Sequence, residues 1–348
     1  MKINRRDFLK LSGVGLTSVW IGPRLNLPRR LQPDEWSQTF APGAHLGRVT
    51  ILRTALHARP TPDSPQLGWK YLDEVSEVLR EVIGKGTQYQ NHVWMETSQG
   101  FLYSPDVQPI VYRPNAPVEA IADGRMWVEV SVPYADSRAK PQSEAAVRER
   151  LYYASIYPVS EVIRDERGAA WYHLDEQKYT GLYVPAEAMR PIAPDELTPI
   201  SAEVEDKKLV VNLGRQSLSA FENGVEVFHA RIASGAKLES EDGKWTTPPG
   251  TYRVQRKWIG VRMAAGDAVS GYDLPGVGWA TIFISSNGVA IHSTYWHNDY
   301  GIPKSHGCVN ARPEDAKVVF RWTLPHVSYL PGEAVPELPG GTTVVVEE

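Results

Sequence analysis

Along most of this chain apolar residues alternate with polar ones, or come in short runs broken by Gly, Pro and Asn. That is the period of strands rather than helices. Arg48 to Arg53, Glu77 to Ile83, Val93 to Thr97 and Phe101 to Ser104 read as strands in the front third. The pattern then echoes itself. Val93-Trp-Met-Glu-Thr, followed by Gly100-Phe-Leu-Tyr-Ser-Pro and Gln108-Pro-Ile, returns as Ala170-Trp-Tyr-His-Leu, Gly181-Leu-Tyr-Val-Pro and Arg190-Pro-Ile. Such self-similarity marks a repeated unit, and two small barrels are expected over 45–112 and 113–195. The polar stretch Arg138–Arg150 is helix-compatible and is expected to be a solvated insertion in the second unit. Trp94, Trp127 and Trp171 serve either as barrel cores or as walls of a binding groove.

Beyond the proline-punctuated boundary Pro191–Pro199, Lys208–Leu213 starts a third unit over 203–347. Asn223-Gly224 between two alternating runs predicts a hairpin. Thr247-Pro-Pro-Gly-Thr-Tyr predicts a rigid turn into a strand, and Gly276–Ile284 and Val289–His292 are further strands about the turn Ser285–Gly288. One good helix is expected, with Pro313 at its first position, Glu314 and Asp315 at its positive end, and Ala316, Val319 and Phe320 facing inwards. Val344–Val346 is a last strand. The fold class is mainly β, with three folded units.

Composition narrows the function. The 348 residues carry a net charge of -4, so no broad basic surface draws the chain to nucleic acid. A single cysteine rules out an intramolecular disulfide. At the N-terminus Arg5 and Arg6 precede a weakly apolar run, Leu11–Ile21, too short for a bilayer span of about 20 residues. Residues 1–22 resemble a twin-arginine export signal, which places the protein in the cell envelope. The Pro- and Arg-rich residues 23–44 read as a linker. No clear cleavage site follows Ile21, so membrane attachment through an uncleaved N-terminus stays open.

The chemistry concentrates in Ile291–Asn310, which holds Cys308 and three of the nine histidines, His292, His297 and His306. A thiol attacks as the thiolate, its free pKa is about 8.5, and a nearby imidazole can take the proton. Gly307 lets backbone approach the nucleophile. Adjacent N–H groups at Gly307 and Cys308 would make an oxyanion hole worth about 3 kcal/mol per donor. Two other readings compete: a zinc site built on these His and Cys side chains, whose spacing fits no common zinc pattern, and a non-catalytic binding scaffold built on the two front units.

The frame His292-x12-Ser305-His-Gly-Cys-Val-Asn310 resembles the signature of the L,D-transpeptidase catalytic domain (YkuD-like), supported by Lys208–Leu213, Thr247–Tyr252 and Tyr272–Trp279. The two front units resemble bacterial SH3-like modules. The resemblance implies Cys308 as nucleophile, His292 as proton acceptor and donor, and Ser293 orienting His292 through its backbone carbonyl. It implies that His306 and Gly307 shape the site and that Tyr272, Trp296, His297, Ser305 and Asn310 contact substrate, Tyr272 on a lid over 258–275. Ser293, Asn310 and Ala311 depart from the Gly, Arg and Met or Leu common in the family. The implied reaction cross-links peptidoglycan stem peptides 3→3 through a Cys308 thioester. Water as acceptor would make an L,D-carboxypeptidase, and a protein amine would attach a protein to the wall. No cofactor is implied, and carbapenems are expected inhibitors.

Overall fold

The computed structural model describes residues 39–88, 91–176, 178, 181–237, 239–240, 243–265 and 272–348. The expected export signal and most of the linker lie outside the described residues.

The front third forms two antiparallel sheets. Gln66–Tyr71, Arg53–His57, Gly100–Tyr103, Asn91–Thr97 and Arg80–Gln88 make a five-stranded one, and His45–Val49 lies between Val75–Glu77 and Val107–Val111 in a three-stranded one. The second unit repeats this chain order within one seven-stranded sheet. There Met126–Val130 lies between Ile156–Arg164 and Met189–Pro191. In both units a single 3-10 turn, Ser104–Asp106 or Ala186–Ala188, leads into the closing strand. The echo in the sequence is therefore a repeat in the structure.

One expectation is corrected. Arg138–Arg150 is neither helical nor an insertion: Tyr134–Arg138 and Val147–Tyr152 pair as antiparallel strands across a turn. The equivalent hairpin in the first unit is Arg53–His57 with Gln66–Tyr71. Its charged composition hid the alternation because Arg150 is held inside by Asp136, at 2.7 and 3.0 Å, rather than by water.

The C-terminal domain packs two five-stranded sheets around a shared apolar interior that includes Leu209, Val211, Phe283, Ile291, Val309 and Val344. In the first sheet Val225–Arg231, Ser217–Glu222 and Lys207–Asn212 form the expected meander. Asn223 and Gly224 supply the positive φ, 49° and 81°, that its tight turn requires. The last strand, Thr343–Glu347, enters the middle of this sheet, parallel to Lys207–Asn212 and antiparallel to Gly250–Arg253. In the second sheet the order is Val309–Ala311, Val289–Ser293, Tyr272–Ile284, Arg256–Ala265 and Glu333–Ala334. The helix runs Pro313–Trp322 and buries Ala316, Val319, Phe320 and Trp322. Its C-terminal end is closed by buried Lys257, whose three ammonium protons meet the carbonyls of Phe320, Thr323 and Pro325 at 2.5, 2.7 and 2.7 Å.

The second front unit is continuous with this domain. Trp127, Ile156 and Ile192 share one apolar cluster with Ile259, Trp279 and Phe320. The approach is close enough that a Cβ at Gly276, where φ is 63°, would lie 2.4 Å from the Tyr157 ring.

Candidate active site

Parallel pairing of two short strands brings the thiol and an imidazole to one edge of the second sheet. Ile291 lies opposite Val309 and His292 opposite Asn310, with Cys308 one residue before its strand begins. His292 is buried, and its Nδ1 lies 2.9 Å from the Ser293 carbonyl. A neutral ring donates there and keeps the Nε2 lone pair for a proton. Burial pushes the His292 pKa down to about 4, opposed by that hydrogen bond. The Ser293 hydroxyl is engaged separately, accepting from Gly278 N–H at 3.1 Å.

Cys308 keeps part of its surface in contact with solvent, but its sulfur is crowded. Burial pushes the thiol up to about 11, against a lowering hydrogen bond from the Ala290 backbone. The sulfur faces the Gly288 carbonyl at 3.7 Å, and among the described residues no hydrogen bond joins it to His292. Burial thus favours the neutral thiol at Cys308 and the neutral imidazole at His292.

The Ser305–Cys308 turn is built from within. Ser305 Oγ donates to the Cys308 carbonyl and accepts from Gly307 N–H at 3.1 Å. Thr247, from the Thr-Pro-Pro-Gly turn, donates its hydroxyl to the Gly307 carbonyl at 2.8 Å and accepts from Gly235 N–H at 2.9 Å. Gly307 sits at φ 123°, a conformation that side-chain-bearing residues rarely adopt. The expected two-donor oxyanion hole is thus corrected: Gly307 N–H is already given to Ser305. Cys308 N–H makes no hydrogen bond to protein among the described residues. Ser305 is a turn builder, buried rather than open to substrate.

Aromatic groups wall the thiol. The His306 ring lies 4.0 Å from that of Trp245 and 5.5 Å from that of Tyr272, whose hydroxyl pKa is raised by burial and by Cys308. Tyr272 begins one arm of a hairpin, Arg256–Ala265 with Tyr272–Ile284. The middle of the lid expected over 258–275, residues 266–271, lies outside the described residues. Trp245 escaped the sequence reading, because a lone Trp between Lys244 and Thr246 carries no spacing signal.

His297 and Asn310, expected to contact substrate, are buried against each other. His297 Nδ1 accepts from Asp299 N–H at 3.1 Å, which leaves the proton of the neutral ring on Nε2. Nε2 lies 2.8 Å from the Asn310 amide nitrogen, and two donors would face each other. Turned over, the amide accepts with its oxygen, and the otherwise unpartnered buried Asn310 Oδ1 gains its bond. Trp296 lies between the rings of His292, at 5.8 Å, and Tyr295, at 4.9 Å.

A cleft of about 680 Å³ opens where the three units meet, lined among others by Arg80, Arg190, Thr294, His297 and Arg312, but neither Cys308 nor His292 forms part of its wall. Among the described residues no group of three His, Cys, Asp or Glu side chains converges on a metal position.

Residues 206–346 match the family model of the L,D-transpeptidase catalytic domain, YkuD. No curated protein matches the chain. Among solved structures, a cysteine-to-serine mutant of the Enterococcus faecium L,D-transpeptidase is 24% identical over 41% of this chain and 50% of that one, with a TM-score of 0.31. This chain thus spans about half of that protein. LdtMt1 in complex with imipenem is 15% identical over 73% and 90% of the two chains, TM-score 0.32. The L,D-transpeptidase from Mycobacterium smegmatis is 16% identical over 74% and 90%, TM-score 0.32. The assignment rests on the domain match and not on these superpositions. Behind two smaller β units, residues 206–346 carry an L,D-transpeptidase catalytic domain.

Proposed function

We propose that this protein is an exported peptidoglycan L,D-transpeptidase that forms 3→3 cross-links through a thioester on Cys308. The observation that carries the reading is the parallel strand pair. It sets the chain's one thiol beside a buried imidazole whose Nδ1 is committed to Ser293 and whose Nε2 is free to act as base.

Burial favours the neutral form of both groups, so proton transfer accompanies attack. The thiol rotates away from the Gly288 carbonyl, His292 Nε2 takes its proton, and Sγ bonds to the carbonyl carbon of the third stem residue. The Cys308 N–H is the backbone donor for the oxyanion. The amide bond to the terminal D-Ala breaks, and His292 returns the proton to the leaving amine. The side-chain amine of a second stem then attacks the thioester, gives a proton to His292, and releases the thiol. Trp245, Tyr272 and His306 line the approach of the donor peptide. The same thioester attacked by water would make the enzyme an L,D-carboxypeptidase. Carbapenems acylate Cys308 because their strained carbonyl presents the same reacting atom. The front units act as SH3-like tethers to the wall.

The test is intact-protein and product mass spectrometry after mixing the enzyme with disaccharide-tetrapeptide, beside Cys308→Ala. The expected product is a dimer lacking one D-Ala, absent with the mutant. Tripeptide alone would establish hydrolysis instead. No product and no acyl adduct would overturn the reading.

A further inference from the structure

The fifteen-residue excursion between His292 and Cys308 does not fold back on its own domain alone. Its middle is held by the first front unit. Asn298 donates from Nδ2 to the Ser104 carbonyl at 3.1 Å, and its N–H to the Pro105 carbonyl at 3.3 Å. The deepest contact is made by Arg48, which is 2% exposed. Its guanidinium reaches Asp73 from Nη1 at 2.9 Å, Gln108 from Nε and Nη2 at 3.1 and 2.8 Å, and the Tyr295 carbonyl from Nη2 at 2.7 Å. Asp73 balances its charge and is bonded in turn by Arg150 at 3.1 Å. Only the planar fork of Arg can serve three acceptors set this far apart.

From Tyr295 the route to the imidazole is short. The Tyr295 ring stacks on Tyr152 at 5.7 Å, its hydroxyl donates to the Pro275 carbonyl at 2.8 Å, and Trp296 stands edge-on to it. The other side of Trp296 meets His292. The hydrogen bond of His292 goes to its own neighbour, Ser293, which fixes the tautomer but not the tilt of the ring. Packing by Trp296 sets that tilt.

We propose that Arg48 is a positioning residue for His292, fixing from the first front unit the Tyr295–Trp296 turn on which the imidazole rests. The front unit is then part of the catalytic machinery and not only a tether. This rests on the acyl-transfer reading above.

The experiment uses the full chain and imipenem as the probe, with the rate of Cys308 acylation followed by intact mass between pH 3.5 and 8. The variant is Arg48→Lys, which keeps the charge beside Asp73 and loses the fork. Folding is checked by circular dichroism. The expected result is acylation slowed about 10-fold, with the acid limb of the profile moved from near 4 towards the ordinary histidine value of about 6.5 as water reaches the ring. A change that merely loosened the fold would lower the melting temperature and leave that limb in place. A folded Arg48→Lys protein with the wild-type rate and limb overturns the proposal.

If Arg48→Lys does not fold, Trp296→Phe breaks the last link and leaves the clasp intact. It is expected to move the same limb, and an unchanged profile sinks the idea. Where both single variants fold, the double variant is expected to be no slower than the slower single, whereas multiplying effects would show independent roles. Wild-type protein that imipenem does not acylate, and that gives no product from tetrapeptide, overturns the acyl-transfer reading and this proposal with it. Active wild type beside unchanged variants overturns only the role of Arg48.

Discussion

The two front units share a strand order and differ in what they do with it. The second builds a large core around Val128, Val130, Tyr157, Tyr172 and Val184, which Leu46, Ile110 and Tyr112 of the first unit and Tyr295 of the C-terminal domain join, and its Trp127 and Ile156 enter a cluster shared with the C-terminal domain. The first keeps a small private cluster of Leu56, Met95, Leu102 and Val107. It meets the C-terminal domain through Arg48, Ser104 and Pro105, by polar contacts to a loop. Its outer face also leaves Leu67, Trp69, Leu79 and Ile83 exposed, at 56, 41, 60 and 78%. One copy of a duplicated unit is thus joined to the C-terminal domain by apolar packing, and the other by a polar clasp. Repeat similarity in a sequence says how a unit folds, not how it is used.

The contrast can be broken in several places. The largest effect is expected for Gly276→Val, which adds side-chain atoms against the Tyr157 ring at a positive φ. It should cost about 4 kcal/mol or more and unfold the second unit and the C-terminal domain together, seen as one transition by calorimetry. Two separate transitions in the wild type would show that the shared core is not cooperative. Ile156→Ala, at the same interface, should cost about 3 kcal/mol in urea denaturation, against roughly half as much for a like truncation of Val107 if the first unit opens alone.

Acid should separate the interfaces in another way. His292 is held neutral to about pH 4 and His297 is also shifted well down by burial, so the folded state binds fewer protons than the unfolded chain below about 6.5. Their contribution is complete above that pH and is lost as pH falls towards 4, about 3 kcal/mol for His292 alone. His297 lies on the loop gripped by the first unit, so tryptophan fluorescence or proteolysis near pH 5 should report release of that clasp before the apolar interface opens. A stability flat from pH 7 to 4.5 would contradict this. Smallest of all, Ile83→Ser on the exposed face of the first unit should change stability by less than about 0.5 kcal/mol.

Much of this was legible in the sequence where local chemistry repeats a known pattern. Asn223-Gly224 can make only a few turns, Pro313 can start but not continue a helix, and the cysteine and histidine frame is dense enough to locate the site. The Thr247 turn was visible too, though not that its hydroxyl bridges Gly235 and Gly307. What escaped depends on partners far apart in the chain. Arg150 looked like a solvated charge because Asp136 and Asp73, its partners, lie in other strands and another unit. His297 looked like a substrate group because nothing near it announces burial against Asn310. The raised thiol pKa is a property of crowding, which residue order does not display.

The placement of Thr343–Glu347 in the middle of a sheet has a consequence for how such an enzyme comes into being. Until these residues leave the ribosome, Lys207–Asn212 and Gly250–Arg253 have no strand between them, and the layer that packs behind Ile291 and Val309 stays open. Cys308 precedes that strand in the chain, so the layer behind its own strand is incomplete until Thr343–Glu347 is in place. The strand is a keystone, joining two segments that otherwise do not touch in the sheet.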